Sequence, residues 1–156
     1  MRVEPQALTA RLQEKYGPAI EVLPDPTVTT ILVPPERLPA IAAELAESFN
    51  LLLDLTAVDW PEYFEVVYFL WSVPEAEELR LKVRLPKDRP EVSSVSACWP
   101  AALCLEREAY DLLGIVFRGH PDLRRILCPD DFVGHPLRKD FALAQADRWE
   151  EGPPAR

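Results

Sequence analysis

The side chains with the most capacity for chemistry lie close together in the last third of the chain, between Glu106 and Lys139. Two histidines, several carboxylates and two pairs of adjacent basic residues occur there. Such residue types could form a carboxylate acid/base pair, a metal site or a network of ion pairs. The candidate residues are Glu106, Arg107, Glu108, Tyr110, Asp111, His120, Asp122, Arg124, Arg125, His135, Arg138 and Lys139.

His120 and His135 each stand in the sequence Gly-His-Pro. The proline that follows each histidine moves its backbone toward an extended form. The two rings could converge on a metal with a carboxylate such as Asp122, as in a free-standing metalloenzyme, but no third Cys or His stands at a familiar ligand spacing. We therefore interpret both histidines as structural or interface residues whose prolines fix the direction of the backbone.

The carboxylates of Glu106 and Glu108 flank Arg107 on a predicted helix. Glu108 falls about 60° from the centre of the apolar stripe, at the border of burial, where an unpaired charge would be costly. It needs a cationic partner, which one of the two basic pairs Arg124-Arg125 and Arg138-Lys139 could supply. Because perturbed carboxylates also occur in structural networks, we favour an ion-pair clamp over acid/base catalysis. The same basic pairs could instead contact a partner protein, since Arg is enriched at interface hot spots.

The helix that carries these carboxylates is predicted to begin at Pro100 and to stop at Gly114, a suitable residue for a helix C-terminus. Its helical spacing places Arg107 and Asp111 on the solvent side, four residues apart, where they could pair. Bulky Leu103 and Tyr110 share that side, which suggests that a second body covers it. The predicted core stripe is Leu105, Ala109, Leu112 and Leu113.

The upstream pattern predicts an α+β fold, with a mostly antiparallel sheet covered by helices. Apolar residues at helical spacing indicate helices over 4–15 and 35–49, and β-branched or alternating stretches indicate strands over 28–33, 50–60, 64–72 and 79–86. We predict a core domain over residues 1–117, an extended arm over 118–143 because glycine and proline are frequent there, and a short flexible tail over 144–156.

Composition narrows the function classes. The net charge of −9 argues against nucleic acid as a partner. Cys98, Cys104 and Cys128 form no CxxC pair, which favours a reducing compartment over a zinc or iron–sulfur site. Glycines at phosphate-binding spacing are missing from the sequence, which therefore predicts no nucleotide site. No apolar run is long enough to cross a bilayer, so we expect membrane contact only through partners.

The stretch "EREAYDLLGIVFRGHPDLRRIL", followed by "DDFVGHPLRKDF", resembles the C subunit, the 30 kDa-type subunit, of the proton-translocating NADH-quinone oxidoreductase of respiratory chains (complex I). Upstream, "LTAVDW", "FEVVYFL" and "WPAA" are also similar to that family, so the resemblance covers about residues 25 to 143. Cys104 and Leu113 stand where bulky aromatic residues are expected, and the chain ends soon after the arm.

The resemblance implies a cofactor-free subunit in the hydrophilic arm of a hetero-oligomeric complex, peripheral on the cytoplasmic side of the cell membrane. Its partners would be the large quinone-site subunit and the iron–sulfur subunits. NADH, FMN, iron–sulfur clusters and quinone would all be bound by partners. Its own role would be positional, with no catalytic residues, because productive geometry needs rigid support.

Three alternatives remain open at the level of sequence. The chain could be the equivalent scaffold subunit of a membrane-bound hydrogenase or of a ferredoxin-fed dehydrogenase complex. It could be the stand-alone metalloenzyme described above, with His120, His135 and a carboxylate as ligands. It could also be an isolated binding module without an electron-transfer partner.

Overall fold

The computed structural model describes residues 5–142, which form three α-helices and seven strands. Short 3-10 turns at Gly17–Ala19 and Pro35–Arg37 precede β1 and α2. In chain order the elements are α1 (Pro5–Tyr16), β1 (Glu21–Leu23), β2 (Thr29–Val33), α2 (Leu38–Ala46), β3 (Leu51–Asp59), β4 (Tyr63–Ser72), β5 (Glu77–Pro86), β6 (Glu91–Ser93), α3 (Ala102–Leu113) and β7 (Val116–Arg118).

The main sheet has five strands in the order β1-β2-β5-β4-β3. Every neighbouring pair is antiparallel except β2 and β5, which run parallel. The α2 helix and the β3–β4 hairpin lie between these two strands in the chain, which gives a connection long enough for parallel pairing. Strands β6 and β7 form a separate parallel pair. The predicted α+β class and the mostly antiparallel sheet are confirmed, whereas three-residue β1, β6 and β7 were too short to predict.

One face of the sheet carries the core. In β5 the side chains of Leu79, Leu81, Val83 and Leu85 are buried and alternate with basic residues on the opposite face, as predicted. The cross-strand partners of these residues in β4 are apolar too, because directly opposed residues share a face. Leu38, Ile41 and Leu45 of α2 are almost completely buried and belong to the same core cluster as these strand residues.

The buried face of α3 differs from the predicted stripe. Leu105 and Leu112 are only half-buried, whereas the carboxylates of Glu106 and Asp111 have no exposed surface. Glu108 is exposed, so its predicted place at the border of burial was wrong. The prediction counted only apolar residues toward the stripe, and here two carboxylates occupy buried positions because each finds hydrogen-bond donors.

Residues 119–142 follow β7 and contain no helix or strand. We call this segment the C-terminal arm. It turns back along α3 and ends beside β3, instead of extending away from the domain. The predicted flexible tail, 144–156, lies outside the described residues.

Candidate functional site at the C-terminus of the third helix

Asp111 is the centre of the contact between the helix and the C-terminal arm. Its Oδ2 atom accepts hydrogen bonds from three successive backbone N–H groups, those of Ile126, Leu127 and Cys128, at 3.0, 2.8 and 2.8 Å. Its Oδ1 atom accepts one from Arg125 Nη1 at 2.6 Å. Burial alone would raise the pKa of this carboxyl, but these bonds outweigh it and lower the pKa to about 2.

Arg125 connects the helix to two further parts of the arm. Its Nη1 atom also donates to the Asp111 carbonyl at 3.2 Å, and Nη2 donates to the carbonyls of Phe132 and Gly134 at 3.0 and 2.8 Å. The guanidinium carbon lies 5.7 Å from the centre of the Phe132 ring. One side chain therefore holds both ends of the loop 125–134 against the helix, and the planar guanidinium with its several N–H donors suits this geometry.

The arm also satisfies the last carbonyl groups of α3. A helix leaves its final four carbonyls without partners inside the helix, and its C-terminal end attracts cations. Here each of the four accepts a hydrogen bond, and three of the donors belong to the arm. The Tyr110 carbonyl accepts from Gly114 N at 2.8 Å, and the Asp111 carbonyl accepts from His135 Nδ1 at 2.9 Å. The Leu112 carbonyl accepts from Leu137 N at 3.0 Å, and the Leu113 carbonyl accepts from Arg138 Nε at 2.6 Å.

Gly114 makes this close approach possible. Its φ of +73° ends the helix in the left-handed region, as predicted. A Cβ atom there would lie 2.7 Å from Cδ2 and Nε2 of His135 and 2.8 Å from Nη2 of Arg138. Both the backbone angle and the space therefore require glycine. The His135 ring meets Tyr110 edge to face, with ring centroids 6.4 Å apart.

Arg107 stabilises the near end of the arm. Its Nε atom donates to the Arg124 carbonyl at 3.1 Å, and its Nη2 atom donates to the Arg125 carbonyl at 2.8 Å. The predicted pair between Arg107 and Asp111 was therefore wrong, because Asp111 is buried and bonded to Arg125 instead. The Arg124 side chain makes an exposed ion pair with Asp122, at 2.9 Å.

A second anchor lies at the far end of the arm. Asp59, the last residue of β3, is buried and accepts a hydrogen bond from the Lys139 backbone N–H at 2.8 Å. It also makes an ion pair with Lys87. The guanidinium of Arg138 lies 5.2 Å from the centre of the Phe64 ring. Sequence reasoning missed Asp59, because its contact with Lys139 spans 80 residues and no local spacing indicates it.

His120 and Glu106 also have partners inside the domain. His120 accepts a hydrogen bond at Nδ1 from the Asp122 N–H, so its Nε2–H donates to the Leu103 carbonyl, each at 3.0 Å. Glu106 accepts bonds from the Ser94 hydroxyl and the Val95 N–H, each at 2.7 Å. Burial raises the pKa of Glu106.

The predicted ion-pair clamp exists, but Asp111 supplies its carboxylate. Glu108 makes no ion pair with any residue from 5 to 142, and Glu106 and Glu108 do not act as a pair, since one is buried and the other exposed. Within the same described range, no three His, Cys, Asp or Glu side chains come together as metal ligands could. The arrangement holds a loop in place and presents its outer surface.

Part of that outer surface is apolar. Leu127, Val133 and Leu137 are 62%, 64% and 60% exposed, and Ile126 is also exposed. Exposed charged residues, among them Asp130, Asp131 and Lys139, lie in the same segment, so the arm presents aliphatic and charged side chains together. Such a patch on a fixed loop is typical of a protein-binding surface.

These features define a small α+β domain with a C-terminal arm fastened to its third helix. Residues 31–147 match the profile of the family described as "Respiratory-chain NADH dehydrogenase, 30 Kd subunit". The chain belongs to this family, as the sequence resemblance predicted. No helix within residues 5–142 has the length and apolar character needed to cross a membrane.

Similar proteins agree with this assignment. The chain is 57% identical over 134 residues to the NADH-quinone oxidoreductase C subunit of Moorella thermoacetica, covering 83% of this chain and 90% of the relative. It is 44% identical over 144 residues to the corresponding C subunit of Geotalea uraniireducens, covering 88% of each.

Two solved structures share the fold. A chain of the membrane-bound sulfane sulfur reductase, an archaeal respiratory membrane complex, matches with a TM-score of 0.79 and 27% identity, covering 97% of this chain and 93% of the other. The trypsin-resistant fragment (1-134) of Nqo5 matches with a TM-score of 0.66 and 33% identity, covering 77% of this chain and 100% of the fragment.

Proposed function

We propose that this chain is a non-catalytic docking subunit in the hydrophilic arm of an NADH-quinone oxidoreductase. It supports electron transfer from NADH to quinone, coupled to proton translocation, by holding its neighbours in register. NADH, FMN, the iron–sulfur clusters and quinone are bound by partner subunits. This chain lies on the cytoplasmic side of the cell membrane as a peripheral part of a membrane complex, and it reaches the membrane only through its partners. The names of the relatives support the parent complex.

The observation that carries the docking role is the apolar part of the outer surface of the C-terminal arm. Leu127, Val133 and Leu137 are more than half exposed although the backbone around them is held by many hydrogen bonds. Exposing three large aliphatic side chains costs solubility, and a partner that covers them removes that cost. We assign this surface to the large quinone-site subunit, with the iron–sulfur subunits beside it.

The clamp gives docking a physical advantage. A free loop of this length would lose conformational entropy on binding, and that loss would weaken the interface. Asp111, Arg125 and the carbonyl groups at the end of α3 order the loop before it meets the partner. The same rigidity transmits the position of the domain to the neighbour, which is what a positional subunit must do.

Charge substitutions on the exposed arm test the proposal. Leu127→Arg and Leu137→Arg should leave the isolated chain folded but lower the amount of assembled complex on native gels, because a buried unpaired guanidinium disfavours the interface. Val73→Arg is the matched control, since Val73 is 55% exposed on a different surface. Normal assembly of both arm variants would contradict the docking role. Normal assembly with low NADH-to-quinone turnover per complex would contradict the non-catalytic role.

The second candidate is the equivalent subunit of a related membrane complex with another electron donor, such as a hydrogenase or a ferredoxin-fed dehydrogenase. It is favoured by the structural match to a chain of the sulfane sulfur reductase complex, over 97% of this chain. Native purification of the full-length chain distinguishes the two. A co-purifying flavin and NADH-binding module supports the first, a nickel-site or ferredoxin-fed module supports the second, and a lone monomer contradicts both.

A further inference from the structure

A small cavity lies far from the arm, between the beginning of α1, the residues after α2 and the turn that joins β4 to β5. Its volume is about 150 Å³, and it is more enclosed than the cavities beside β1, β2 and the outer face of α2. Leu8, Phe49 and Pro74 form apolar parts of its wall. A cavity of about this size holds a benzene molecule, so it has space for an aliphatic chain of four or five atoms.

One residue that lines the cavity carries a hydroxyl group without a hydrogen-bond partner among the described residues. Ser72 lines the cavity and is 1% exposed, and its Oγ atom makes no hydrogen bond with the described chain. A buried hydroxyl without a hydrogen bond lowers stability, and such groups are uncommon in native proteins. Because a serine hydroxyl can both donate and accept, it would accept a hydrogen bond from a ligand that carries N–H groups.

The lining of the same cavity also includes three acidic residues. Glu47, Glu75 and Glu77 line it, and none of them makes an ion pair with another residue in the range 5–142. Glu77 is the cross-strand partner of Ser72, so the two side chains share one face of the sheet. Elsewhere Asp25, Glu44 and other carboxylates of the fold have basic partners. Three unpaired carboxylates around an apolar cavity favour a cation whose uncharged part is aliphatic.

We propose that this cavity binds an alkylammonium group. The aliphatic chain lies against Leu8, Phe49 and Pro74, and the ammonium group lies between Ser72 Oγ and the glutamates, where its three N–H donors have acceptors. A lysine side chain has this chemistry, and so does a free primary amine. The site is separate from the C-terminal arm and does not depend on the proposed docking role.

NMR titration of the 15N-labelled full-length chain with n-butylammonium chloride tests the site. We expect saturable shifts of the backbone amides of Ser72, Glu75 and Glu77, with a dissociation constant in the millimolar range. Glu77→Gln should weaken binding about fivefold, as loss of one partly exposed ion pair predicts, and added salt should weaken it further. Glu36→Gln removes one charge from a different surface and should leave the affinity within about twofold.

The comparison ligands separate the possible results. n-Butanol has the same aliphatic chain without the charge, and its failure to bind would support the role of the glutamates. Nα-acetyl-lysine amide presents the group as a protein would: tighter binding than n-butylammonium identifies a partner's lysine, and weaker binding identifies a free amine. No saturable shift with either amine, equal binding of n-butanol, or equal affinity of Glu77→Gln and the unaltered chain would overturn the proposal.

Discussion

Asp111→Asn should release the C-terminal arm while leaving the sheet intact. Asparagine has nearly the same shape but only one acceptor oxygen. If that oxygen keeps the three backbone N–H groups, the new NH₂ group faces the Arg125 guanidinium, donor against donor. The variant therefore loses the buried ion pair and leaves a mostly buried arginine without its carboxylate.

Two routes give the size of this effect. Breaking a buried ion pair by removing one partner costs about 3 to 5 kcal/mol. Because Arg125 keeps its hydrogen bonds to backbone carbonyls, we expect a cost near the lower end of this range. Independently, the fall in the pKa of Asp111 from 3.8 to about 2 corresponds to about 2.5 kcal/mol. We therefore expect a loss of about 2.5 to 3 kcal/mol in the free energy of arm opening, which is about a 100-fold loss of hydrogen-exchange protection.

Hydrogen exchange measured by NMR on the full-length chain resolves this loss residue by residue. The amides of Ile126, Leu127 and Cys128 should exchange about 100-fold faster, while those of β4 and β5 should be unchanged. Asp122→Asn is the matched control, because it breaks an ion pair in the same arm whose side chains are 67% and 59% exposed. The control should cost less than about 1 kcal/mol. Similar exchange in the two variants would refute the role of Asp111 as the centre of the clamp.

Three further outcomes follow from the same contacts. Gly114→Ala should lower the free energy of unfolding in urea by about 1 kcal/mol more than Gly17→Ala. Both glycines have positive φ, but only a Cβ atom at Gly114 would crowd His135. Equal losses in the two variants would contradict the tight packing at Gly114. The stability from Asp111, whose folded pKa is lowered, should be complete above pH 3.8 and lost as the pH falls through about 2. Chemical shifts of the arm amides that stay constant as the pH falls from 3.8 to about 2 would contradict this pH dependence. Glu106→Gln should change the free energy of unfolding by less than about 1 kcal/mol, since the glutamine oxygen can accept from the Val95 N–H while its NH₂ group donates to the Ser94 hydroxyl oxygen. A larger loss in thermal melts would contradict this exchange of donor and acceptor.

The elements that local patterns determine were predictable from the sequence. The alternation of Leu79, Leu81, Val83 and Leu85 with basic residues encodes a strand with one buried face, and the structure has it. Gly114 ends α3 because a left-handed residue is needed there, and glycine reaches that conformation without strain. The density of glycine and proline after β7 correctly indicated a segment without helix or strand.

The burial of Glu106 and Asp111 and the identity of their partners were not predictable in the same way. A helical wheel treats Glu106 and Asp111 as polar and turns them toward solvent, yet both are buried because donors from distant segments meet them. Local reasoning could offer Asp111 only the residue four positions away, Arg107, whereas its true partner is Arg125, fourteen residues further on. One available signal was the position of Asp111 in the last turn of a helix that the basic arm must pass, since cations favour that end.

The basic character of the arm therefore has an intramolecular explanation. Arg125 and Arg138 bind the carbonyl groups at the end of α3, and Arg124 pairs with Asp122 beside it. These three cations are already engaged before any partner arrives. Toward a partner the arm presents the aliphatic side chains of Leu127, Val133 and Leu137, beside exposed charged residues such as Asp130 and Lys139. The sequence pattern left the basic residues open as a clamp or as partner contacts, and the structure shows Arg125 and Arg138 bound to the helix, where they fix the position of the arm.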